Sequence, residues 1–157
     1  MLEITSENKI LTIKSSSEND VKINYDKNEI FIGDLSLNYP WEYEKSGILI
    51  QTMEYQGNLF YNLVIEKKHI LVFFIDNFEI KEEILSFFWD IDILIIPWTK
   101  EAIKIFENIE TRTVIPFWEA KNIFFQNLWQ HPEEIEKFKA KVELESLDTN
   151  FVNLTEK

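Results

Sequence analysis

The pattern of apolar and polar residues is most distinctive between Lys68 and Trp98. An unbroken apolar run, Ile70–Ile75, is too short to span a membrane and predicts a strand buried on both faces. A helical pattern follows, whose apolar side comprises Phe78, Ile80, Ile84, Leu85 and Phe88. After it, Asp92–Ile96 is a second buried strand that stops at Pro97. Strand, helix and strand in this order predict a βαβ unit.

In the first half of the chain, short segments have the apolar and polar pattern that is typical of strands. Strands are predicted at Glu3–Thr5, Ile10–Lys14, Val21–Tyr25, Glu29–Ile32, Ile48–Tyr55 and Leu59–Glu66. Polar turns such as Ser15–Asp20 separate the first four, which indicates an antiparallel meander. Gln56-Gly57-Asn58 is a good turn for the hairpin formed by the last two.

Helices and strands are predicted to alternate again after Pro97. The predicted helices are Lys100–Asn108, Glu119–Trp129 and Glu133–Ala140. The predicted strands are Thr113–Ile115 and, as a terminal hairpin or edge pair, Val142–Glu145 and Phe151–Leu154. Thr99 suits the N-cap of the first helix, and Pro132 suits the first turn of the third. We therefore expect an α/β class of α+β layers, with a β meander first, βαβ units afterwards and helices on one face.

Length and composition narrow the class of protein. The 157 residues are 45% hydrophobic, which predicts one domain, 1–157, with a substantial core. The net charge of −12 would repel nucleic acid and an anionic membrane, so neither is expected as a partner. Because cysteine is absent, disulfides, thiolate metal sites and cysteine nucleophiles are excluded. The first ten residues do not resemble a signal peptide and no apolar run is long enough for a membrane helix, so we expect a cytoplasmic protein.

Three segments stand in a distinctive order. Pro40–Glu44 reads PWEYE and is followed by Ser46–Ile48, Asp90–Pro97 reads DIDILIIP, and Val114–Pro116 reads VIP. They resemble the PGEYE…G, DvLllP and vIPmH segments of metallo-β-lactamase-fold hydrolases, in the branch of the ascorbate-6-phosphate lactonase-like proteins. The resemblance spans roughly residues 29–155. It implies a sandwich of two sheets with outer helices, truncated in its N-terminal half.

The resemblance also implies that the metal site of the family is lost. These hydrolases hold two metal ions through an HxHxDH loop, a further histidine, a Gly-Asp aspartate and a final histidine, and the metals activate a water. No HxHxDH sequence is present here. Asp76 stands where the aspartate is expected but follows Ile75 in place of glycine, Trp118 stands where the final histidine is expected, and Trp41 replaces the glycine of PGEYE. We expect no metal and no other cofactor, with Asp76 as the one residue at a ligand position.

Isolated polar residues have ordinary structural interpretations. Asp76 is predicted to cap the helix that begins near Phe78, which competes with its interpretation as a metal ligand. His69 is interpreted as a residue at the end of a strand, and His131 as a neighbour of a helix N-terminus, rather than as ligands.

Two carboxylate pairs also resemble catalytic pairs. Asp90 and Asp92 would face opposite sides of a strand, which favours a loop residue and a strand-entry residue. Glu42 and Glu44 share one side if their segment is extended, and a solvated acidic turn is the favoured interpretation.

The chain is rich in aromatic residues, which make up 15% of it. The candidates for an interface or a ligand-binding surface are Trp41, Trp98, Phe117, Trp118, Phe125 and Trp129. Phe124 and Phe125 are adjacent, so one helix face hardly buries both, and an exposed apolar patch usually marks an interface. Simple core packing is the alternative, and the sequence leaves both open.

The function predicted from these observations is a non-catalytic binding or assembly protein, derived from a metallo-β-lactamase-fold hydrolase and acting through an aromatic-rich surface. Its expected partner is a second copy of the chain or another protein, because a sheet without its facing layer needs a cover. The alternatives are a hydrolase with a non-standard or absent metal site and a small-molecule binder that uses the remnant cleft.

Overall fold

The computed structural model describes residues 2–74, 79, 81–86, 90–97, 100–109, 111–117, 125–126, 128–140 and 149–155. These residues form two short helices, α1 (Glu82–Leu85) and α2 (Lys100–Glu107). The strands of the first half are β1 (Leu2–Glu7), β2 (Ile10–Lys14), β3 (Val21–Asn24), β4 (Glu29–Ile32), β5 (Leu35–Ser36), β6 (Glu42–Lys45), β7 (Ile48–Tyr55), β8 (Asn58–Ile65) and β9 (Lys68–Phe73). Those that follow are β10 (Ile91–Pro97), β11 (Thr111–Phe117), β12 (Glu134–Ile135), β13 (Phe138–Ala140), β14 (Asn150–Phe151) and β15 (Asn153–Leu154).

The N-terminal sheet has the strand order β13-β1-β2-β3-β4-β5, and every neighbouring pair is antiparallel. Its strands alternate strictly: Ile4 and Ile13 are buried, while Thr5 and Thr12 beside them are partly exposed. A period of two with one apolar face is what a half-buried antiparallel sheet requires. The predicted meander is confirmed.

The large sheet has the order β14-β11-β10-β9-β8-β7-β6. Strands β6 to β9 are antiparallel neighbours, whereas β9, β10, β11 and β14 run parallel. Parallel neighbours need a crossover connection, and α1 and α2 lie in the two connections between β9, β10 and β11. The predicted alternation of buried strands and helices is confirmed for this part of the chain.

One apolar core lies between the two sheets. Ile4 and Ile23 from the N-terminal sheet belong to the same cluster as Ile50, Val72 and Ile95 from the large sheet, and each is at most 1% exposed. Burial of an aliphatic side chain of this size stabilises a fold by about 1.5–3 kcal/mol. The expectation that the large sheet lacks its facing layer is therefore wrong, because β1 to β5 supply that layer.

The helices cover only the opposite face of the large sheet. Ile84 of α1 and Ile105 of α2 pack in a second core with Leu71, Leu94 and Val114. The other face of the N-terminal sheet carries partly or fully exposed side chains and no described helix. The described residues are thus mostly strand, and the expected layering of helix on sheet holds on one side.

Helix α1 begins later than its sequence pattern predicts. Glu79 and Lys81 are not helical, the N-cap position is Lys81, and the helix starts at Glu82. The prediction that a helix begins near Phe78 with Asp76 as its cap is wrong on the position of the helix. Asp76 itself lies outside the described residues, as does Thr99.

The segment Glu133–Ala140 is not the predicted helix. It contains β12 and β13, and β13 pairs with β1 at the edge of the N-terminal sheet. Phe138 and Ala140 are buried on either side of an exposed Lys139, a period of two that suits a strand. The amphipathic pattern of the segment is compatible with a helix, but pairing with the open edge of β1, beside apolar neighbours, is more favourable.

The C-terminal residues add short edge strands. β14 pairs in parallel with β11, and β15 pairs in parallel with β12. Phe151–Leu154 therefore lies at a sheet edge as predicted, whereas Val142–Glu145 is outside the described residues. Among the helices that the structure describes, none is long and apolar enough to cross a membrane.

Candidate functional site

The carboxyl ends of the parallel strands are where sheets of this type usually bind ligands. In the large sheet, the last described residues at this edge are Phe74 after β9, Pro97 of β10 and Phe117 of β11. All three are buried. Carbon-rich side chains thus end the described parts of these strands, close in sequence to positions 76 and 118, at which the family resemblance implies metal ligands.

Four rings from both sheets pack together at this edge and form what we name the aromatic cluster, consisting of Tyr25, Tyr61, Phe74 and Phe117. Tyr25 stacks on Phe117 with ring centroids 5.1 Å apart, and Phe74 lies 6.3 Å from Phe117. Tyr61 meets Phe74 edge-on at 5.9 Å. These separations are those of favourable aromatic pairs. The cluster joins the N-terminal sheet to the large sheet.

The hydroxyl groups of the cluster are held within the protein. Tyr61, only 3% exposed, donates a hydrogen bond to the carbonyl oxygen of Leu37 at 2.9 Å. Burial, together with a smaller effect of Tyr43, raises the pKa of Tyr61 to about 12. The Tyr25 hydroxyl lies 3.4 Å from the Oγ of buried Ser6. Tyr61 is therefore a neutral donor near neutral pH and does not act as a phenolate base.

The described residues do not fit the two-metal centre of the family. Among them, no three His, Asp or Glu side chains stand close enough together to hold a metal ion. His69 is the second residue of β9, at the opposite end of that strand from Phe74, and His131 is exposed before β12. The interpretation of His131 as a helix neighbour is wrong, because no helix follows it. Asp76 and Trp118, at the two ligand positions, lie outside the described residues.

The aromatic candidates divide by exposure. Phe117 and Phe125 are each 3% exposed and pack within the two cores. Trp41 is 67% exposed and Trp129 is 87% exposed. Trp98, like Trp118, is not among the described residues. We name Trp41 and Trp129 the exposed indoles.

Trp129 occupies a backbone position that favours glycine. Its φ angle is +57°, its N–H donates to the carbonyl of Gln126, and the N–H of Gln130 donates to the carbonyl of Phe125. This pair of bonds is the Schellman motif that ends a helix, and its left-handed residue is usually glycine. Phe125 and Gln126 are the helical residues described from the predicted helix Glu119–Trp129. The motif follows these two helical residues, and the rest of the predicted helix before Phe125 lies outside the described residues.

Trp41 lies beside a shallow groove of about 420 Å³ at the β6 edge of the large sheet. The groove is lined by Pro40, Trp41, Glu42, Gln51, Thr52, Met53 and Glu54. Glu42 and Glu44 are both exposed on strand β6. They are solvated as predicted, but the favoured interpretation of the segment as a turn is wrong, because it pairs with β7 as a strand. The Nε2 of Gln51 donates to the Oε1 of Glu42 at 3.0 Å and fixes that carboxylate at the groove.

A polar arrangement that sequence reasoning missed lies at the amino ends of the parallel strands. Asp92 accepts a hydrogen bond from the backbone N–H of His69 at 2.9 Å and lies 3.5 Å from the Nη1 of Arg112. The strand register places Asp92 between these two residues. The sequence signal was the single arginine and an aspartate at a strand entry, but only the register brings them together. A carboxylate satisfied in this way positions strands and carries no free catalytic group.

Comparison with known proteins identifies the fold of this chain. No protein-family model matches the sequence, and a search of curated proteins finds no match. Among solved structures, the chain is similar to a protein from Thermotoga maritima that is assigned to the Zn-dependent hydrolases of the metallo-β-lactamase superfamily. The TM-score is 0.71, the match covers 100% of both chains, and the sequence identity is 13%.

Similarity at this level of identity concerns the fold, and this chain has the metallo-β-lactamase fold. The two-sheet sandwich that the resemblance implies is therefore confirmed. The loss of part of the N-terminal half relative to the family stays a prediction.

Proposed function

We propose that this chain is a non-catalytic binding or assembly protein with a metallo-β-lactamase fold, and that it acts through exposed aromatic side chains. The observation that carries the proposal is the aromatic cluster. Its rings fill the edge of the large sheet where a hydrolase of this fold needs convergent imidazole and carboxylate groups. Phe74 and Phe117 pack against each other there, with ring centroids 6.3 Å apart.

The exposed indoles support a binding role. A large apolar side chain gains little free energy for the fold when most of its surface stays in water. Trp129 also occupies a left-handed position where most side chains are strained. Tryptophan is enriched at the anchoring positions of protein interfaces. The two exposed indoles contribute little to the stability of the fold and are therefore suited to contact a partner.

A second copy of the chain is the partner that we propose for Trp129. The sequence argument for a dimer assumed a missing sheet layer, which the N-terminal sheet in fact supplies. The remaining support is the exposure of Trp129 itself. The net charge of −12 opposes association, but salt screens that repulsion beyond about 8–10 Å.

The experiment that tests the proposed function combines metal analysis with a hydrolysis assay. Purified protein is expected to retain less than one transition-metal ion per chain and to hydrolyse neither chromogenic esters nor phosphodiesters, with or without added Zn²⁺ or Mn²⁺. Near-stoichiometric metal together with metal-dependent hydrolysis would establish the rival function, a hydrolase with a non-standard site.

Light scattering on the same preparation measures assembly. A dimer is expected for the wild type, with Trp129→Asp shifting it toward the monomer mass of 18.9 kDa. A wild-type monomer at micromolar concentration would refute self-association.

A further inference from the structure

Strand β7 extends further than its neighbour β6 at the edge of the large sheet. The four residues of β6 pair only with Ile48–Gln51. One more hydrogen bond follows, from the N–H of Thr52 to the carbonyl of Trp41 at 2.9 Å. The N–H of Trp41 donates to the carbonyl of Tyr39 at 2.9 Å, which turns the preceding chain away from β7. Beyond Thr52, the strand pairing of β7 is with β8 alone.

The alternation of the strand determines which backbone groups face this open edge. Successive residues of a strand direct their N–H and C=O groups to opposite sides. Because the N–H of Thr52 points toward β6, the N–H and C=O of Glu54 point the same way. No described strand pairs with them there. Such an edge is a template on which an extended segment adds as a further strand.

The side chains around the edge define the chemistry of that segment. The groove contains two carboxylates, of Glu42 and Glu54, and its lining includes no Lys or Arg. Within the described ranges, neither carboxylate forms an ion pair. The exposed indole of Trp41 lines the same groove as these two carboxylates, and Tyr39, 61% exposed, lies two residues before it in the chain. An electron-rich ring with adjacent carboxylates favours a cation.

We propose that this edge groove binds an extended cationic peptide segment. The segment pairs through its backbone with Glu54, a Lys or Arg side chain lies over the indole of Trp41, and the carboxylates of Glu42 and Glu54 in the groove lining attract the positive charge of the segment. The net charge of −12 raises the local concentration of such a ligand. This inference rests on the proposed function and names the class of partner that Trp41 contacts.

A second copy of the chain is a poorer occupant of the same edge. Two-fold antiparallel pairing of the open part of β7, around Glu54, with the same part of a second copy would bring the Glu54 carboxylates of the two chains together. Like charges placed opposite each other destabilise a strand pair. Charge complementarity therefore selects a basic segment over self-pairing at this edge.

The test measures the binding of three labelled peptides by fluorescence anisotropy. The peptides alternate Thr with Lys, with Gln or with Glu, so that only the charge differs. The Lys peptide is expected to bind most tightly and to weaken as salt is added. Trp41→Leu should lower its affinity about two- to five-fold, since it removes the cation–π contact but keeps an apolar side chain. Glu42→Gln combined with Glu54→Gln should lower it by about five-fold or more.

A matched variant separates the groove from the rest of the surface. Glu7→Gln combined with Glu29→Gln removes two exposed carboxylates of the N-terminal sheet and should bind the Lys peptide like the wild type. Equal affinity of the Lys peptide for wild type, Trp41→Leu and the double glutamine variant would overturn the proposal.

If the Gln peptide binds as tightly as the Lys peptide and depends on Trp41, the cationic specificity is wrong while the proposed binding function stands. If none of the peptides binds, the edge proposal is overturned. The proposed function is then decided separately by metal content, hydrolysis and light scattering.

Discussion

The aromatic cluster and the exposed indoles are made of the same kind of side chain in opposite environments. In the cluster, Tyr61 and Phe117 are each 3% exposed and contact rings of both sheets. The indoles of Trp41 and Trp129 are mostly in water. Burial rather than residue type therefore separates the aromatic residues that join the two sheets from those that we propose as contacts with other molecules.

The difference also bears on the proposed function. Phe74 and Phe117 stand at strand ends where sheets of this type usually bind ligands, and there they pack against each other. Surface available for contact lies instead at the β6 edge and at the end of the helical turn that carries Trp129. Variants of the two groups should therefore respond in opposite ways, with large changes in stability for one and small changes for the other.

Replacement of a ring in the cluster is expected to have the largest effect. Phe117→Ala should lower the free energy of unfolding by about 3–5 kcal/mol, because it removes a buried ring and leaves a cavity between the sheets. Phe117→Leu retains more of the apolar volume and should cost less. Urea denaturation measures both.

The matched comparison for this prediction is Trp41→Ala, which should change the free energy of unfolding by no more than about 0.5 kcal/mol. A similar loss of stability in Phe117→Ala and Trp41→Ala would remove the distinction between the two groups.

The stability of the protein at alkaline pH should depend on the ionisation of Tyr61. The phenol has a pKa of about 12 in the folded protein and about 10 in an unfolded chain. Between these pH values the unfolded chain releases a proton that the folded chain keeps, so stability falls as pH rises from about 10 to about 12. The loss is on the order of 2 kcal/mol. It is absent below about pH 10, where both states are protonated.

Tyr61→Phe should remove this part of the pH dependence, although it also removes the hydrogen bond to Leu37 and costs about 1 kcal/mol near neutral pH. Urea melts from pH 8 to pH 12 measure the difference between variant and wild type. Tyr39→Phe, at an exposed tyrosine, is the control for removing a hydroxyl group. An unchanged alkaline slope in Tyr61→Phe would show that another group titrates there.

Local patterns predicted the buried strands well. The apolar runs that begin at Ile70 and Asp92 lie in β9 and β10, because an apolar run between turn signals has few other solutions. The same local reasoning failed at Glu133–Ala140. The sequence there has the period of a helix, but its last residues pair with the edge of β1 as a strand. Tertiary pairing decides such a segment, and a single sequence does not contain that pairing explicitly.

The candidate site was less predictable than the fold. The sequence indicated the missing metal ligands and the aromatic excess, but not which rings are buried. Tyr25 and Phe117 come from distant strands of different sheets, so no spacing reveals their stacking. The groove beside Trp41 likewise depends on β7 extending past β6, which is a property of strand register.

The smallest effect, and one with the opposite sign, is expected at Trp129. Its φ of +57° places it at the left-handed residue of a Schellman motif, where a side chain strains the backbone and glycine does not. The indole is 87% exposed, so its removal forfeits little buried surface. Against the relief of strain stands the greater freedom of glycine in the unfolded chain. Trp129→Gly should therefore raise the free energy of unfolding by about 0.5–1 kcal/mol.

Trp129→Ala separates the two contributions, because alanine removes the indole but keeps the strain. It should leave stability within about 0.5 kcal/mol of the wild type. Asn28→Gly, at an exposed turn residue with a φ of +56°, is the matched control, and it should gain less because asparagine tolerates this conformation. Thermal and urea melts at a concentration where the chain is monomeric measure all three. A loss of stability in both Trp129 variants would mean that the indole stabilises the fold. Trp129 would then resemble the residues of the aromatic cluster rather than Trp41.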